Sequence, residues 1–253
     1  MTPMQRVLLS LICIIAATTT LSAQKIVAHR GHHSAEGAAQ NAISSLIAAD
    51  EASIEVVEFD VVMTSDNHLV VAHGPNHPAD DKMRIGDTTL DTLRTTPLPN
   101  GETLPTLDEY LDVAMRYPNI HLLVEIKIWG DEDVEACFNA IEDAIAERGL
   151  SERATYISFS RKICDLAAEH GAMYLAGDLS PKRVAKRGYK GISYPTVILH
   201  LHPAWIRRAH NLGLEVSIWT VNNRKDAEWA IRHNVDYITT DNPALISECI
   251  ANK

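Results

Sequence analysis

The chain has 253 residues, with 33 Asp and Glu against 23 Lys and Arg, and a formal net charge of −10. That balance argues against an extended nucleic-acid surface, because phosphate backbones are held by clustered Lys and Arg. Four cysteines are too few for a disulfide scaffold, while 46% hydrophobic residues suffice for one large packed domain.

Arg6 precedes an uncharged apolar run from Val7 to Ala17, followed by small polar residues and Ala23. A positive start, a short apolar stretch and a small residue before the cut are the layout of a secretory signal peptide. The run is too short to span a bilayer comfortably. The expectation is a signal peptide over 1–23, one domain over 24–253, and an exported protein, periplasmic or extracellular, with no stable membrane span after processing. Cys137, Cys164 and Cys249 remain, in helix-like contexts that favour buried thiols.

Strand-like and helix-like runs then alternate. Residues 25–29 are a short β-branched run, and 42–51 read as a helix with Asn41 as its N-cap. Residues 54–63 form the second strand, and 68–73 a short strand paired with it. Residues 74–103 are rich in Pro, Gly, Asp and Thr and read as an irregular excursion. A helix follows over 106–115, a buried strand over 121–128, and a long helix from Glu132 to Arg148. The rhythm continues with strands in 154–159, 172–177, 191–199, 214–221 and 236–240. The helices between and after them cover 161–170, 181–186, 203–212, 224–233 and 243–250. Eight β-then-α units imply a parallel sheet, and their size matches a (β/α)8 TIM barrel with a small insertion after the second strand. An open doubly wound sheet is the alternative. It lacks the glycine fingerprint expected after its first strand.

In such a barrel the reactive groups lie at the C-terminal ends of the strands. Those ends carry His29 and Arg30, Glu58 and Asp60, His73, Glu125 and Lys127, Trp219, and Thr240 with Asp241. Glu58 and Asp60 are two apart on a strand, so they share a face, and Glu125 and Lys127 repeat that spacing. Three converging carboxylates are the donor set of a hard cation, Mg2+ or Ca2+. An ion-pair network, Glu125 with Lys127 and Glu58 with Arg30, explains the same spacing equally well. A phosphodiester would be repelled by three acids and two bases alone, and attracted once a divalent cation joins them. His29 and His73 end apolar strands and suit acid–base work. His32, His33, His68, His77, His200 and His202 read as surface or core residues. No His-x-His or His-Glu-x-x-His pattern sits where a zinc site would need it.

These residues resemble the glycerophosphodiester phosphodiesterase family. The resemblance rests on Ala28-His29-Arg30-Gly31, Glu58-Phe59-Asp60-Val61, Thr64-Ser65-Asp66 and Val70-Val71-Ala72-His73. It continues through Glu125-Ile126-Lys127, Trp219 to Asn222, and Thr240-Asp241 with Pro243. It implies a barrel in which Glu58, Asp60 and Glu125 hold one divalent cation, Mg2+ or Ca2+. It also implies that His29 and His73 act as general acid and base, and that Arg30 and Lys127 bind phosphate oxygens. Trp219 would cover the alcohol, or else fill a core layer. The implied substrate is a small glycerophosphodiester, cleaved to glycerol 3-phosphate and an alcohol.

Two stretches depart from the family pattern. Ala39-Gln40-Asn41-Ala42 stands where Pro-Glu-Asn-Thr is usual, and His73-Gly74 where His-Asp is usual. Both lie at the barrel mouth and leave two alternatives open: a hydrolase for another phosphodiester, such as a lysophospholipid headgroup or a sugar phosphodiester, or a non-catalytic binding relative.

Overall fold

A computed structural model describes residues 24–130 and 133–252. The expected signal peptide lies outside the described residues. Among the described residues there are eleven strands: β1 (Lys25–Ala28), β2 (Val56–Met63), β3 (Leu69–Val71), β4 (Asn76–His77), β5 (Asp80–Arg84), β6 (His121–Ile126), β7 (Ala154–Ser158), β8 (Ala172–Tyr174), β9 (Gly191–Pro195), β10 (Glu215–Trp219) and β11 (Tyr237–Thr240). The helices are α1 (Ile43–Glu51), α2 (Leu90–Leu93), α3 (Leu107–Ala114), α4 (Val134–Glu147), α5 (Arg161–Leu166), α6 (Pro181–Lys186), α7 (Thr196–Leu201), α8 (Ala204–His210), α9 (Arg224–Arg232) and α10 (Pro243–Ala251).

The strands β1, β2 and β6 to β11 pair in parallel, and β1 pairs with both β2 and β11, which closes a barrel. The TIM barrel expected from the alternating pattern is therefore the observed fold. Strand alternation divides each strand between two cores. Val57, Phe59, Leu122, Val124, Tyr156 and Ile218 face outward, into the layer beneath the helices. Val27, Val56, Leu123, Ile157, Met173 and Leu175 face inward and fill the barrel. Moving toward the C-terminal ends, the inward positions become polar: Val27 gives way to His29, Val56 to Glu58 and Asp60, and Leu123 to Glu125 and Lys127. The barrel thus has an apolar floor and a charged mouth.

Three expectations change. The excursion over 74–103 is ordered, with a β4–β5 hairpin, a short 3-10 turn and α2. It has its own apolar cluster, in which Ile85, Leu90, Leu93, Leu98 and Leu104 pack against Val62, Val70 and Ala72. Burial of those leucines outweighs the turn-rich composition. The strand expected within 191–199 covers Gly191–Pro195 and ends where its last partner, Trp219 of β10, also ends. Beyond that point no neighbour offers ladder hydrogen bonds, so the apolar run Thr196–Leu201 satisfies its backbone internally as α7. The third change concerns Asn41. Ala42, not Asn41, occupies the N-cap position of α1.

Cys164 and Cys249 are buried free thiols, and Cys137 is buried in α4. No helix of the described residues is long and apolar enough to cross a membrane.

Gly191 on β9 lies close against β10. A Cβ there would lie 2.3 Å from the carbonyl oxygen of Glu215 on β10. Gly191→Ala must push β9 and β10 apart. It should cost about 2–4 kcal/mol, read as a lowered urea midpoint, whereas an unchanged midpoint would contradict the observed strand spacing.

Candidate active site

Parallel pairing of β2 with β6 sets Asp60 opposite Glu125. Both point inward, with Glu58 one layer deeper on β2. One ligand oxygen from each of Glu58, Asp60 and Glu125 lies within 4.8 Å of the others. All three carboxylates are buried. Lys127 Nζ reaches Glu125 Oε1 at 2.5 Å and Asp60 Oδ1 at 3.1 Å. Arg30 contributes in two ways. Its backbone N–H donates to Glu58 Oε2 at 2.7 Å, and its Nε lies 3.6 Å from Asp60 Oδ2.

The ion-pair reading is thus present in part. Glu125 and Lys127 do pair, but Glu58 takes the main chain of Arg30 rather than its guanidinium. Glu58 Oε1 is buried with no hydrogen-bond partner. An orphaned buried carboxylate oxygen is costly. It is accounted for when a cation fills the space between the three acids, so the donor set fits a hard divalent ion.

The charges of this cluster show the same shortage of positive partners. Burial, then the neighbouring Asp60 and Glu125, push Glu58 well above the usual carboxylate range. Burial and then Asp60 lift Glu125 to about 7. Burial alone would also raise Asp60. Lys127, His73, Asn41 and Arg30 together outweigh it and hold Asp60 below its ordinary value. Burial would lower Lys127, but Asp60 and Glu125 raise it, so the ammonium stays charged.

Asn41 is the residue whose role composition concealed. It adopts a left-handed backbone with φ 60°. Its Nδ2 donates to Asp60 Oδ2 at 2.9 Å, and its Oδ1 accepts from the Asp60 backbone N–H at 3.1 Å. Reading it as a cap mistook a residue that orients a carboxylate for one that starts a helix. Thr64 and Asp66, by contrast, bond each other and the following loops, and serve the turn after β2.

Two histidines and two bases line the same small cavity, of about 120 Å³, with Glu58, Glu125 and Trp219. A larger cleft, about 580 Å³, lies beside the insertion and contains none of these groups. His73 Nδ1 faces the carbonyl of Gly74 at 3.1 Å. A carbonyl only accepts, so Nδ1 carries the hydrogen and Nε2 keeps its lone pair. Burial, which outweighs the attraction of Asp60, holds His73 down to about 4, so it is uncharged at neutral pH. His29 Nδ1 donates to Asp241 Oδ1 at 2.6 Å, which likewise leaves Nε2 free. His33, read from sequence as a surface or core residue, donates from Nε2 to the same oxygen at 3.1 Å. Asp241 is held well below the usual carboxylate range by His29 first, then His33. The signal that could have found this group is the His-x-x-x-His spacing, yet its third member lies over two hundred residues away.

The two departures in the mouth have structural explanations. Gln40 Oε1 accepts from Arg30 Nη1 at 2.7 Å, so the contact is made without a negative charge. Gly74 has φ +64°, and a Cβ there would lie 2.6 Å from Trp129 Nε1. Any side chain at 74 collides with Trp129, which crosses that space. Trp219 packs against the apolar floor, as the core-layer reading expects, donates from Nε1 to the Ser193 carbonyl at 2.8 Å, and lines the cavity.

The sequence matches the glycerophosphoryl diester phosphodiesterase family over residues 29–245. It is 27% identical to a glycerophosphodiester phosphodiesterase of Caldanaerobacter subterraneus over 240 residues, covering 87% of this chain and 95% of that protein. A crystal structure of a glycerophosphodiester phosphodiesterase from Parabacteroides distasonis superposes with a TM-score of 0.87 at 35% identity, covering 91% of this chain and 98% of the other. The fold is also shared with an Oleispira antarctica phosphodiesterase solved with the product sn-glycerol-3-phosphate. That match has a TM-score of 0.74 at 20% identity, covering 90% of this chain and 96% of the other. The chain belongs to the glycerophosphodiester phosphodiesterase family and is an enzyme of that class.

In chelator the carboxylate cluster has a pH signature. The raised pKa of Glu125 means that the folded chain keeps a proton the unfolded chain has released. Its contribution to stability therefore falls as pH rises from 4.5 to about 7. His73 and His121, both lowered to about 4 by burial first, act in the opposite sense from about 4 to 6.5. Comparison with Glu125→Gln isolates the one carboxylate. In chelator the variant should gain on wild type with rising pH, by on the order of 3 kcal/mol between roughly pH 4.5 and pH 8. Urea unfolding at both ends of that range measures the gap, and a pH-independent gap would refute the assignment.

Proposed function

We propose that this enzyme is exported and hydrolyses small glycerophosphodiesters to glycerol 3-phosphate and an alcohol, with a divalent cation and two histidines. The observation that carries the reading is the convergence of His29, His73 and a cation-deficient carboxylate triad on one cavity. Glu58, Asp60 and Glu125 would hold Mg2+ or Ca2+. Such a cation neutralises the charge that develops on the phosphate oxygens. Arg30 and Lys127, at the edge of the triad, bind the remaining phosphate oxygens.

The chain's own groups supply the proton transfers. His73, uncharged and with its Nε2 lone pair free, accepts the proton of the glycerol hydroxyl that attacks phosphorus. His29, protonated at Nε2, gives that proton to the oxygen of the departing alcohol while Asp241 fixes its ring. Water then opens the cyclic phosphate with the two roles exchanged. Trp219 covers the apolar edge of the glycerol. Membership of the family and the product seen in the Oleispira antarctica relative support glycerol 3-phosphate as the product here.

A second reading, a diester with an apolar alcohol or tail, rests on the cavity rim. Trp129 and Phe159 are 38% and 48% exposed there, and Phe159 stands edge-on to Trp219 at 5.8 Å. Relative rates on glycerophosphocholine and lysophosphatidylcholine decide between them.

Glycerophosphocholine and glycerophosphoethanolamine should release glycerol 3-phosphate in Mg2+ or Ca2+, and chelation should abolish release. His29→Ala and His73→Ala should each lower kcat by about 10²–10⁴-fold with the fold retained. Absence of turnover across a diester panel, with either metal, would overturn the reading.

Export rests on residues 1–23, whose charge and apolar length suit a cleaved signal. Expressed in a secreting host, the protein should be recovered outside the cytoplasm with Gln24 as its first residue. A retained Met1 on that material would refute it.

A further inference from the structure

A second group of potential ligands lies at the mouth, beside the carboxylate triad. His29 Nδ1 and His33 Nε2 both meet Asp241 Oδ1, at 2.6 and 3.1 Å. These three ligand atoms lie within 4.8 Å of one another. The carboxylate is held in place from outside. Asn222 Nδ2 donates to Asp241 Oδ2 at 2.6 Å, and Asn222 Oδ1 accepts from the Asp241 backbone N–H at 2.9 Å. Ser34 Oγ donates to the Asp241 carbonyl at 2.9 Å, which ties the His33 loop to the end of β11. An outer layer of hydrogen bonds that orients a ligand is what metal-binding side chains use.

The two clusters differ in chemistry. Glu58, Asp60 and Glu125 offer only oxygen, which suits a hard cation. His29, His33 and Asp241 offer two imidazole nitrogens and one oxygen, which suits a borderline transition ion. We propose that His29, His33 and Asp241 form a second metal site, selective for Zn2+ or a similar ion, and that filling it switches the enzyme off. The inhibitory half of this inference rests on the acid–base role given to His29 above; the binding half does not.

The geometry needs little change. Zinc bonded tetrahedrally to nitrogen and oxygen at about 2.0–2.2 Å holds its ligand atoms roughly 3.3 Å apart. The separations of 2.6 and 3.1 Å to Asp241 Oδ1 open by less than about 1 Å, and the two ring nitrogens, which lie within 4.8 Å of each other, settle at the same spacing. The side chains of His29, His33 and Asp241 are 18%, 16% and 34% exposed, which leaves an entry path and room for a water as fourth ligand.

Inhibition follows from the tautomer. With Asp241 as partner, His29 keeps hydrogen on Nδ1, so that Nε2 can give its proton in the first step and offer a lone pair in the second. A metal bonded to Nδ1 uses the lone pair there, so the neutral ring must carry its hydrogen on Nε2. The hydrogen moves from one nitrogen to the other through solvent, with no net proton gained or lost. The neutral, metal-bound ring holds its Nε2 hydrogen far more tightly than the imidazolium that acts as acid in the first step, and it has no lone pair there to accept a proton in the second.

The test uses the full mature chain in saturating Mg2+. Zn2+ is titrated while turnover and binding heat are followed, and Co2+ substitutes as the absorbing probe. The expected result is micromolar inhibition that added Mg2+ does not relieve, with one Co2+ bound in a site showing visible d–d bands. His33→Gln and His33→Phe should keep turnover in zinc-free Mg2+, raise the inhibitory Zn2+ concentration by roughly tenfold or more, and lose the Co2+ bands. Inhibition relieved by Mg2+, or unchanged in both His33 variants, would overturn the proposal and place zinc on the carboxylate triad. Absence of both heat and bands would show the cluster to be hydrogen-bonded only. Co2+ bands that depend on His33, in a protein inactive on every diester, would keep the metal site while removing the phosphodiesterase reading.

Discussion

The whole mouth of the barrel is organised around one electrostatic problem: three carboxylates sit inside a closed sheet with too few positive partners. Glu58, Asp60 and Glu125 are all buried, and Lys127 is the one cation buried among them in the described residues. Asp60 takes most of the available compensation, from Lys127, Asn41 and Arg30. Glu58 and Glu125 are left with raised affinities for protons. A proton and a metal ion answer the same need. The shortage of positive charge that raises those proton affinities is also what makes the donor set fit a divalent cation.

The barrel makes this arrangement possible. Its inward positions alternate with outward ones along every strand, so one face of β2 can be acidic while the other belongs to the helix-packed core. The apolar floor of Val27, Val56, Leu123, Ile157 and Met173 keeps the charged layer near the open end. The loops finish the site. Arg30 presents its main-chain N–H to Glu58, Asn41 clamps Asp60, and Asp241 holds His29 from the end of the last strand. Arg30 and Asn41 come from the loop after β1 and Asp241 from the loop after β11, which is how a rigid barrel collects separate pieces of sequence at one place.

The departures from the family pattern fall on this rim rather than on the triad. Gln40 keeps the hydrogen bond to Arg30 but adds no charge against it. A glutamate there would add a negative charge beside the guanidinium. Gly74 makes room for Trp129, and with Phe159 and Trp219 this gives the mouth three aromatic side chains.

The sequence by itself determined the alternating βα order, the parallel pairing it implies, and the side chains on the inward face of β2 and β6. Those are local properties: a period of two along a strand, and caps and glycines between elements. It also showed that acids and bases were mixed at the strand ends, but not which would pair. The tertiary structure decided that Arg30 serves Glu58 through its backbone, that Asn41 orients Asp60 instead of capping α1, and that His33 joins His29 on Asp241. It also turned Thr196–Leu201 into a helix and gave the 74–103 segment a core of its own. All of these depend on which distant strand or loop lies within hydrogen-bond reach. A chain's own periodicity fixes which way a side chain points, while its partner is set by how the barrel closes.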